Sequence, residues 1–481
     1  MTNIEKAVAS IFKGAEGPRI GAFFDFDGTL IDGYSAGAYF SDRLRNREMG
    51  FAELVDTAKL MTRADLNEAE FAEVIGKGIS EWGGRTEDEM HELWLRLFKK
   101  TIAGCMFPEA WSLVKAHQKM GHTVVIATSA TRYQVLPTAA ELGIDNLLCT
   151  QAMVRKGRLT GGIVGEPLWG AGKAAAVRKF AAENKIVLKR SYAYANGNED
   201  IDLLRTVGHA TAVNPKKILK DCAEENSWSL LRFQSRRKVP FTAIARSVGA
   251  YGAMAATFLG GLAYAKVTGN ERRAVDLIGS IGFDAALAIA GVDVETHGEH
   301  NLWTHRPAVF LLNHQSKLDF YVMFSLLRRG FTGVAKKEAE NTPGFKTFMR
   351  MAEMAFIDRG NTAKAIEALQ PAVDRLKKGL SVCMAPEGTR SYSPQLGRFK
   401  KGAFHVAMQA GVPIVPVVIR NAGEMMSRNT LTMRAGKVQV AVLPAIHVAK
   451  WKPDTLDKHV AEVRQLYLTT LENWPTDAKY K

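Results

Sequence analysis

Short apolar runs alternate with helical patterns in two separate blocks of this chain, and that alternation limits the fold more than any other feature. In the first block the runs lie at residues 20–24 (IGAFF), 123–127 (TVVIA), 191–195 (SYAYA) and 210–213. In the second they lie at 308–312, 331–335, 355–357, 380–385, 414–419 and 437–443. Buried-type strands joined by helices predict a parallel sheet covered by helices, formed twice. From about residue 34 to 100, Leu, Met, Phe and Trp recur every three to four positions among Glu and Arg, as expected of helices inserted into the first sheet's connections. The resulting expectation is two α/β domains, at 15–225 and 293–481, with an inserted helical cap at about 33–105. A length of 481 residues suits more than one core.

Residues 226–292 separate the blocks. They hold a short basic linker, SRRKVP at 235–240, and two apolar stretches at 248–265 and 277–292. The first has 18 residues without a charge, near the lower limit for crossing a bilayer, but its Gly and Ala make it weakly hydrophobic. A spanning hairpin, a pair lying in one leaflet and a soluble helical pair all fit; membrane association is the expectation carried forward. Charge is segregated in the same way. Residues 1–225 hold 29 basic and 29 acidic residues, so the remaining 35 basic and 20 acidic residues carry the entire +15. An anionic partner therefore meets the second half, and an anionic membrane surface is favoured over nucleic acid, for which no motif is present. The N-terminus shows no apolar run of the signal-peptide type. Cys105, Cys149, Cys222 and Cys383 are scattered without metal-ligand spacing, which fits reduced thiols.

Asp25-Phe-Asp-Gly-Thr29 follows the first apolar run. Two carboxylates two residues apart can divide phosphoryl transfer, one attacking phosphorus and the other handling the leaving-group proton. A divalent cation such as Mg²⁺ would neutralise the approaching anions. Alone, the pattern is equally an Asx-rich turn. The longer stretch FFDFDGTL, however, resembles the first motif of the haloacid dehalogenase superfamily, in its phosphoserine-phosphatase-like branch. That resemblance implies a Rossmann-like parallel sheet with a helical cap, Asp25 as nucleophile and Asp27 as general acid/base. It further implies that Thr128 after TVVIA and Lys173 in GAGKAAAV bind phosphate, and that Asp25, Asp27, Asn196 and Asp200 hold Mg²⁺, the last two in YANGNED. The sequence departs from the family at Asn196, where Asp is usual; one negative charge is lost. An Mg²⁺-dependent phosphatase and a non-catalytic or regulatory domain both remain open.

In the second block, NHQSKLD at 313–319 begins just after an apolar run. Asp319 five positions beyond His314 can orient the imidazole and raise its basicity toward a hydroxyl. FIDR at 356–359, PEGTRS at 386–391 and RFKKG at 398–402 each set cations just past or near a strand. Together with GVPIVPVVI at 411–419, these motifs resemble, in order, those of the glycerolipid acyltransferase family, whose best-known members acylate 1-acylglycerol 3-phosphate. The resemblance covers about residues 295–445. It implies that His314 is the base and Asp319 its partner, and that Arg359 and Arg390 bind the acceptor phosphate. Glu387 lies in that acceptor site, and Lys337 and Lys400 are further phosphate candidates. The expected reaction is acyl transfer from acyl-CoA or acyl carrier protein to lysophosphatidate, giving phosphatidate. The expected location is the cytoplasmic face of the inner or plasma membrane. An acyltransferase for another lysophospholipid is the alternative.

Overall fold

The computed structural model describes residues 2–48, 68–336, 345–357 and 367–475. The chain divides into two units, Met1–Lys238 and Val239–Lys481.

The first unit is built on a six-stranded parallel sheet in the order β3-β2-β1-β6-β7-β8. Its strands are β1 (Gly21–Phe24), β2 (Thr123–Thr131), β3 (Asn146–Thr150), β6 (Tyr192–Ala195), β7 (His209–Val213) and β8 (Ser229–Leu231). β4 (Ala152–Arg155) and β5 (Arg158–Ile163) form a separate antiparallel hairpin. Every residue of β1 and β6 is buried, which explains why both read as continuous apolar runs. Sequence order runs β1, β2, β3 toward one edge and β6, β7, β8 toward the other. The crevice at the carboxyl ends of β1 and β6 is therefore the topological switch point where α/β sheets bind ligands. Helices Ser35–Arg45, Glu68–Ser80 and Glu87–Lys100 fall between β1 and β2, as the periodicity predicts. Tyr39, Trp82 and Trp94 pack there as an aromatic cluster.

Near β1, a pair of histidines forms a hydrogen-bonded chain. His122 Nε2 donates to the Ala15 carbonyl at 2.7 Å, so its Nδ1 accepts from His117 Nδ1 at 2.8 Å. His117 Nε2 then accepts from the Tyr194 hydroxyl at 2.9 Å. Both rings are neutral in this arrangement. Burial, reinforced by His122, pushes His117 down to about 3, and burial lowers His122 as well.

The second unit has a seven-stranded mixed sheet in the order β12-β11-β13-β10-β14-β15-β9. Its strands are β9 (Val292–His297), β10 (Val309–Leu312), β11 (Phe331–Lys336), β12 (Ala355–Ile357), β13 (Ser381–Met384), β14 (Ile414–Ile419) and β15 (Gly436–Val442). Central β10 is parallel to both β13 and β14, and among the described strand pairs of this sheet only β14–β15 is antiparallel. Alternate β10 side chains enter different cores: Phe310 and Leu312 join one cluster, Val309 and Leu311 the other.

The segment 226–292 differs from the expectation of a linker and two membrane helices. β8 lies inside the expected linker and extends the first sheet, with the chain tied down beyond it. Asp32 Oδ2 accepts from Ser235 Oγ and from the Arg236 and Arg237 amides at 2.6, 2.6 and 2.7 Å. The first apolar stretch becomes a long helix, Phe241–Thr268, long and apolar enough to cross a membrane by length and composition. Only 11% of its most apolar window is buried, and Val248 and Leu259 are exposed. The second stretch is broken. Glu271–Leu277 passes through a wide turn at Ile278–Gly282 into Phe283–Ala290, Gly291 closes that helix at φ +72°, and Val292 already belongs to β9. Ala274, Val275, Ile278, Phe283, Ala286 and Leu287 are buried in the domain core, and Phe283 stacks on Phe324. Asp284, anomalous in an apolar helix, accepts from Ser325 and pairs with Arg328 at 3.3 Å. The second stretch is thus largely a core element, and the first alone offers a long exposed apolar face.

Candidate active sites

In the first unit the chain turns sharply as it leaves β1. Gly28 adopts φ +83°, and a Cβ there would lie 2.3 Å from the Asn196 amide, so the turn demands glycine. The turn brings together residues far apart in sequence. Buried Lys173 contacts Asp25 Oδ1 at 3.0 Å and Asp200 Oδ1 at 2.5 Å. Burial acts to lower the ammonium's pKa, but Asp200 and Asp25 outweigh it and hold Lys173 charged. Burial also raises Asp25, against the opposing field of Lys173. Asp27 is pushed up to about 6 by burial, although the Ser35 amide and hydroxyl donate to it at 2.6 and 3.2 Å. Thr128, near the carboxyl end of β2, is buried and accepts from the Ala130 amide at 3.1 Å.

The Asn196 amide lies 2.9 Å from the Asp27 carbonyl oxygen and 3.2 Å from Asp25 Oδ2. With its nitrogen inward it donates to both. With its oxygen inward, it lies beside two other oxygens, and oxygen donors are what Mg²⁺ prefers. Among the described residues no cluster of three Asp, Glu, His or Cys side chains is placed to hold a metal. Any cation site here therefore draws on a carbonyl and an amide, and Asp200 stands behind it on Lys173.

In the second unit, His314 and Asp319 flank the start of the helix Leu318–Leu327, just beyond β10. Asp319 is 1% exposed; its Oδ2 accepts from His314 Nδ1 at 2.7 Å and from the Gln315 and Ser316 amides at 2.7 and 2.8 Å. The carboxylate thus pins the turn at 314–316 and fixes the imidazole together. Since Nδ1 must donate, Nε2 of the neutral ring is free to accept a proton. Asn313 anchors the turn to β14: its amide donates to and accepts from the Ile419 backbone, each at 2.7 Å. This positioning role escaped the sequence reading, although Asn313 is the first residue of the motif.

Glu387 follows β13. It was expected in the acceptor site. Its two oxygens accept from the His314 amide at 2.7 Å and the Gly397 amide at 2.9 Å, so its role is to clamp the loops around the base. The Ser391 amide donates to the His314 carbonyl at 2.7 Å, completing the clamp. Gly388 takes φ +71°, with the Lys400 side chain lying over it.

His314, Asp319, Arg390 and Lys400 line one cavity of about 840 Å³. Its other walls are largely apolar, including Phe320, Met323, Phe324, Phe331 and Met354. Cys383 also lines it, but burial and then Asp319 push this thiol up to about 12, so it is no thiolate nucleophile. Arg359 and Lys337 lie outside the described residues.

These geometries define the class: an α/β acyltransferase-type domain following a hydrolase-type α/β domain. A family profile for haloacid dehalogenase-like hydrolases matches residues 22–205, and one for acyltransferases matches residues 293–420. The 1-acyl-sn-glycerol-3-phosphate acyltransferase of Saccharomyces cerevisiae is 35% identical over 185 residues, covering 38% of this chain and 61% of that protein. The enzyme of the same description from Limnanthes alba is 33% identical over 197 residues, covering 41% of this chain and 69% of that protein. The chain belongs to this acyltransferase family, and it carries a haloacid dehalogenase-like domain ahead of the acyltransferase domain. Among solved structures, the 1-acyl-sn-glycerophosphate (LPA) acyltransferase PlsC from Thermotoga maritima is 22% identical with a TM-score of 0.42, covering 49% of this chain and 98% of that one. A phosphoserine phosphatase is 20% identical with a TM-score of 0.35, covering 46% and 95%.

Proposed function

We propose that the second unit transfers an acyl group from acyl-CoA to the free hydroxyl of lysophosphatidate, giving phosphatidate. The His314–Asp319 pair at the mouth of a largely apolar cavity carries this reading. Nε2 of His314 takes the acceptor's hydroxyl proton as its oxygen attacks the thioester carbonyl. Asp319 stabilises the imidazolium that forms. Collapse of the tetrahedral intermediate expels the thiolate, which takes the proton back from His314. No acyl-enzyme is required, in keeping with a Cys383 thiol held protonated. Arg390 supports a phosphate-bearing acceptor, as does Lys400. The exposed apolar face of Phe241–Thr268 and the positive charge of this half support docking on an anionic membrane surface, where the acceptor lies. The cytoplasmic face is the location proposed.

The deciding experiment is acyl transfer from palmitoyl- and oleoyl-CoA to lysophosphatidate by wild type and His314→Ala. The wild type is expected to turn over and the variant to lose nearly all activity; equal rates overturn the mechanism.

For the first unit the reading is an Mg²⁺-dependent phosphomonoesterase. Asp25 attacks phosphorus, Asp27 donates the proton to the leaving alkoxide, and Lys173 steadies the phosphorylated Asp25. Asp25, Asn196 and the Asp27 carbonyl would hold the cation, which shields the phosphate's charge from Asp25. Asn196 favours a second reading, a domain that binds without turnover. Phosphate release from phosphatidate and phosphoserine, measured in parallel with Mg²⁺, separates the two; no release from either supports the second. Release from phosphoserine alone would exclude phosphatidate as the substrate of this unit.

A further inference from the structure

Arg428 lies beyond the stretch matched by the acyltransferase family profile and in none of the recognised motifs, yet it lines the same cavity as His314. It is interlocked with the PEGTRS loop in both directions. Arg390 Nη1 donates to the Arg428 carbonyl at 2.9 Å. Arg428 in turn stacks its guanidinium on Tyr392, 4.0 Å from the ring centroid, and its Nη2 donates to Thr389 Oγ1 at 3.3 Å. Stacking fixes the plane of the guanidinium fork before any ligand arrives. Its Nη1 is buried and meets no acceptor among the described residues.

The charge balance around it is incomplete. Lys317, Arg390, Lys400 and Arg428 have no carboxylate partner among the described residues. Glu387, the acid in this loop, is occupied by two backbone amides. Burial lowers the pKa of Arg390, and the neighbouring Arg428 lowers it further; Lys317 is lowered by burial and then by Arg390. Asp319 is the carboxylate whose field reaches Arg390, and cations grouped without an ion-pair partner match a ligand with more than one negative charge. In lysophosphatidate the phosphate and the reacting hydroxyl sit on adjacent or nearby glycerol carbons, so the phosphate must bind close to His314. The phosphates of a coenzyme A donor lie a whole pantetheine arm from the reacting carbonyl.

We propose that Arg428 is a specificity-determining residue that, with Arg390, grips the phosphomonoester dianion of the acceptor and selects it over phosphodiester lysolipids. This rests on the acyltransferase reading above.

The test uses the full chain in mixed micelles, with wild type, Arg428→Gln and Arg428→Lys checked for equal melting temperature. Arg428→Gln is expected to raise KM for lysophosphatidate about tenfold to a hundredfold, with little change in kcat or in KM for acyl-CoA. The preference for lysophosphatidate over lysophosphatidylglycerol should fall by the same factor, and lysine should restore part of it. An unchanged KM for lysophosphatidate, or a rise confined to acyl-CoA, overturns the proposal. Lysophosphatidate binding is measured in parallel in the His314→Ala background, with and without Arg428→Gln. Equal binding there also overturns it, whereas tenfold weaker binding supports it even if wild type turns over no lysophosphatidate. That last outcome would count against the acyltransferase reading alone.

Discussion

Replacing Asp319 by Asn separates the charge of the catalytic pair from its geometry. All three groups facing Oδ2 are donors: His314 Nδ1 and the amides of Gln315 and Ser316. An asparagine therefore keeps its carbonyl oxygen in that position. Its NH₂ group falls where Oδ1 lies, a buried atom with no hydrogen-bond partner. His314 retains its tautomer and orientation, and what is lost is the negative charge beside the imidazolium of the transition state. A hydrogen bond to a charged acceptor contributes roughly 1 kcal/mol more than one to a neutral acceptor. Two unit charges about 4 Å apart near a protein surface interact by about 4 kcal/mol. The expected fall in kcat is thus between about fivefold and a thousandfold, with KM for the acceptor little changed. The newly buried NH₂ costs about 1–3 kcal/mol of stability, so the variant should fold but unfold at lower urea. Initial rates at saturating acyl-CoA and lysophosphatidate, with circular dichroism as the fold control, read both effects. A folded Asp319→Asn enzyme with wild-type kcat would refute the claim that the carboxylate's charge assists His314.

Two further outcomes test the first unit. Asn196→Asp adds a carboxylate beside Asp25, so the melting temperature without Mg²⁺ should fall while the rise produced by Mg²⁺ grows; a smaller Mg²⁺-dependent rise than in wild type would mean that this cluster is not the cation site. The His117–His122 chain makes the unit acid-sensitive. Folded His117 is depressed to about 3 from an ordinary 6.5, so the unfolded state binds more protons between those values. Its contribution is fully present above about pH 6.5 and is lost as pH falls toward 3, at up to about 1.4 kcal/mol per pH unit. Hydrogen exchange of β1 and β6 amides, corrected for intrinsic rates, should show less protection at pH 5 than at pH 7.5, and His117→Gln should flatten that difference. Equal pH dependence in the two proteins would show that the pair is not the sensor.

The central strands were legible because burial on both faces leaves an apolar run in the sequence, as in β1, β6, β10 and β14. The strands that escaped lie mostly at edges, where one side of the strand lacks a partner. β8 has three residues, two of them exposed, and β9 reads Val-Asp-Val-Glu-Thr-His with charges interleaved. The chemistry-bearing turns were legible for a related reason. Asp25-Phe-Asp-Gly-Thr29 and NHQSKLD each follow a central strand at its carboxyl end, so motif and strand announce one another in sequence. The partners of Glu387 were not legible, because a motif records that a carboxylate is needed, whereas its partners are backbone amides, which leave no trace in residue identity.

By itself, the sequence determined the two α/β blocks, the confinement of positive charge to the second, and the pairing of His314 with Asp319, because each depends on local periodicity, composition or short spacing. Tertiary structure alone decided which apolar stretch is core and which is exposed, since both read as apolar in sequence and it is packing against Phe324 and its neighbours that places the second in the core. It also decided the encounters across long separations in the chain: Lys173 with Asp25, and Arg428 with Thr389 and Tyr392. Such contacts arise from how strands are ordered in a sheet and how loops fold over their ends. No local pattern of residues encodes that order.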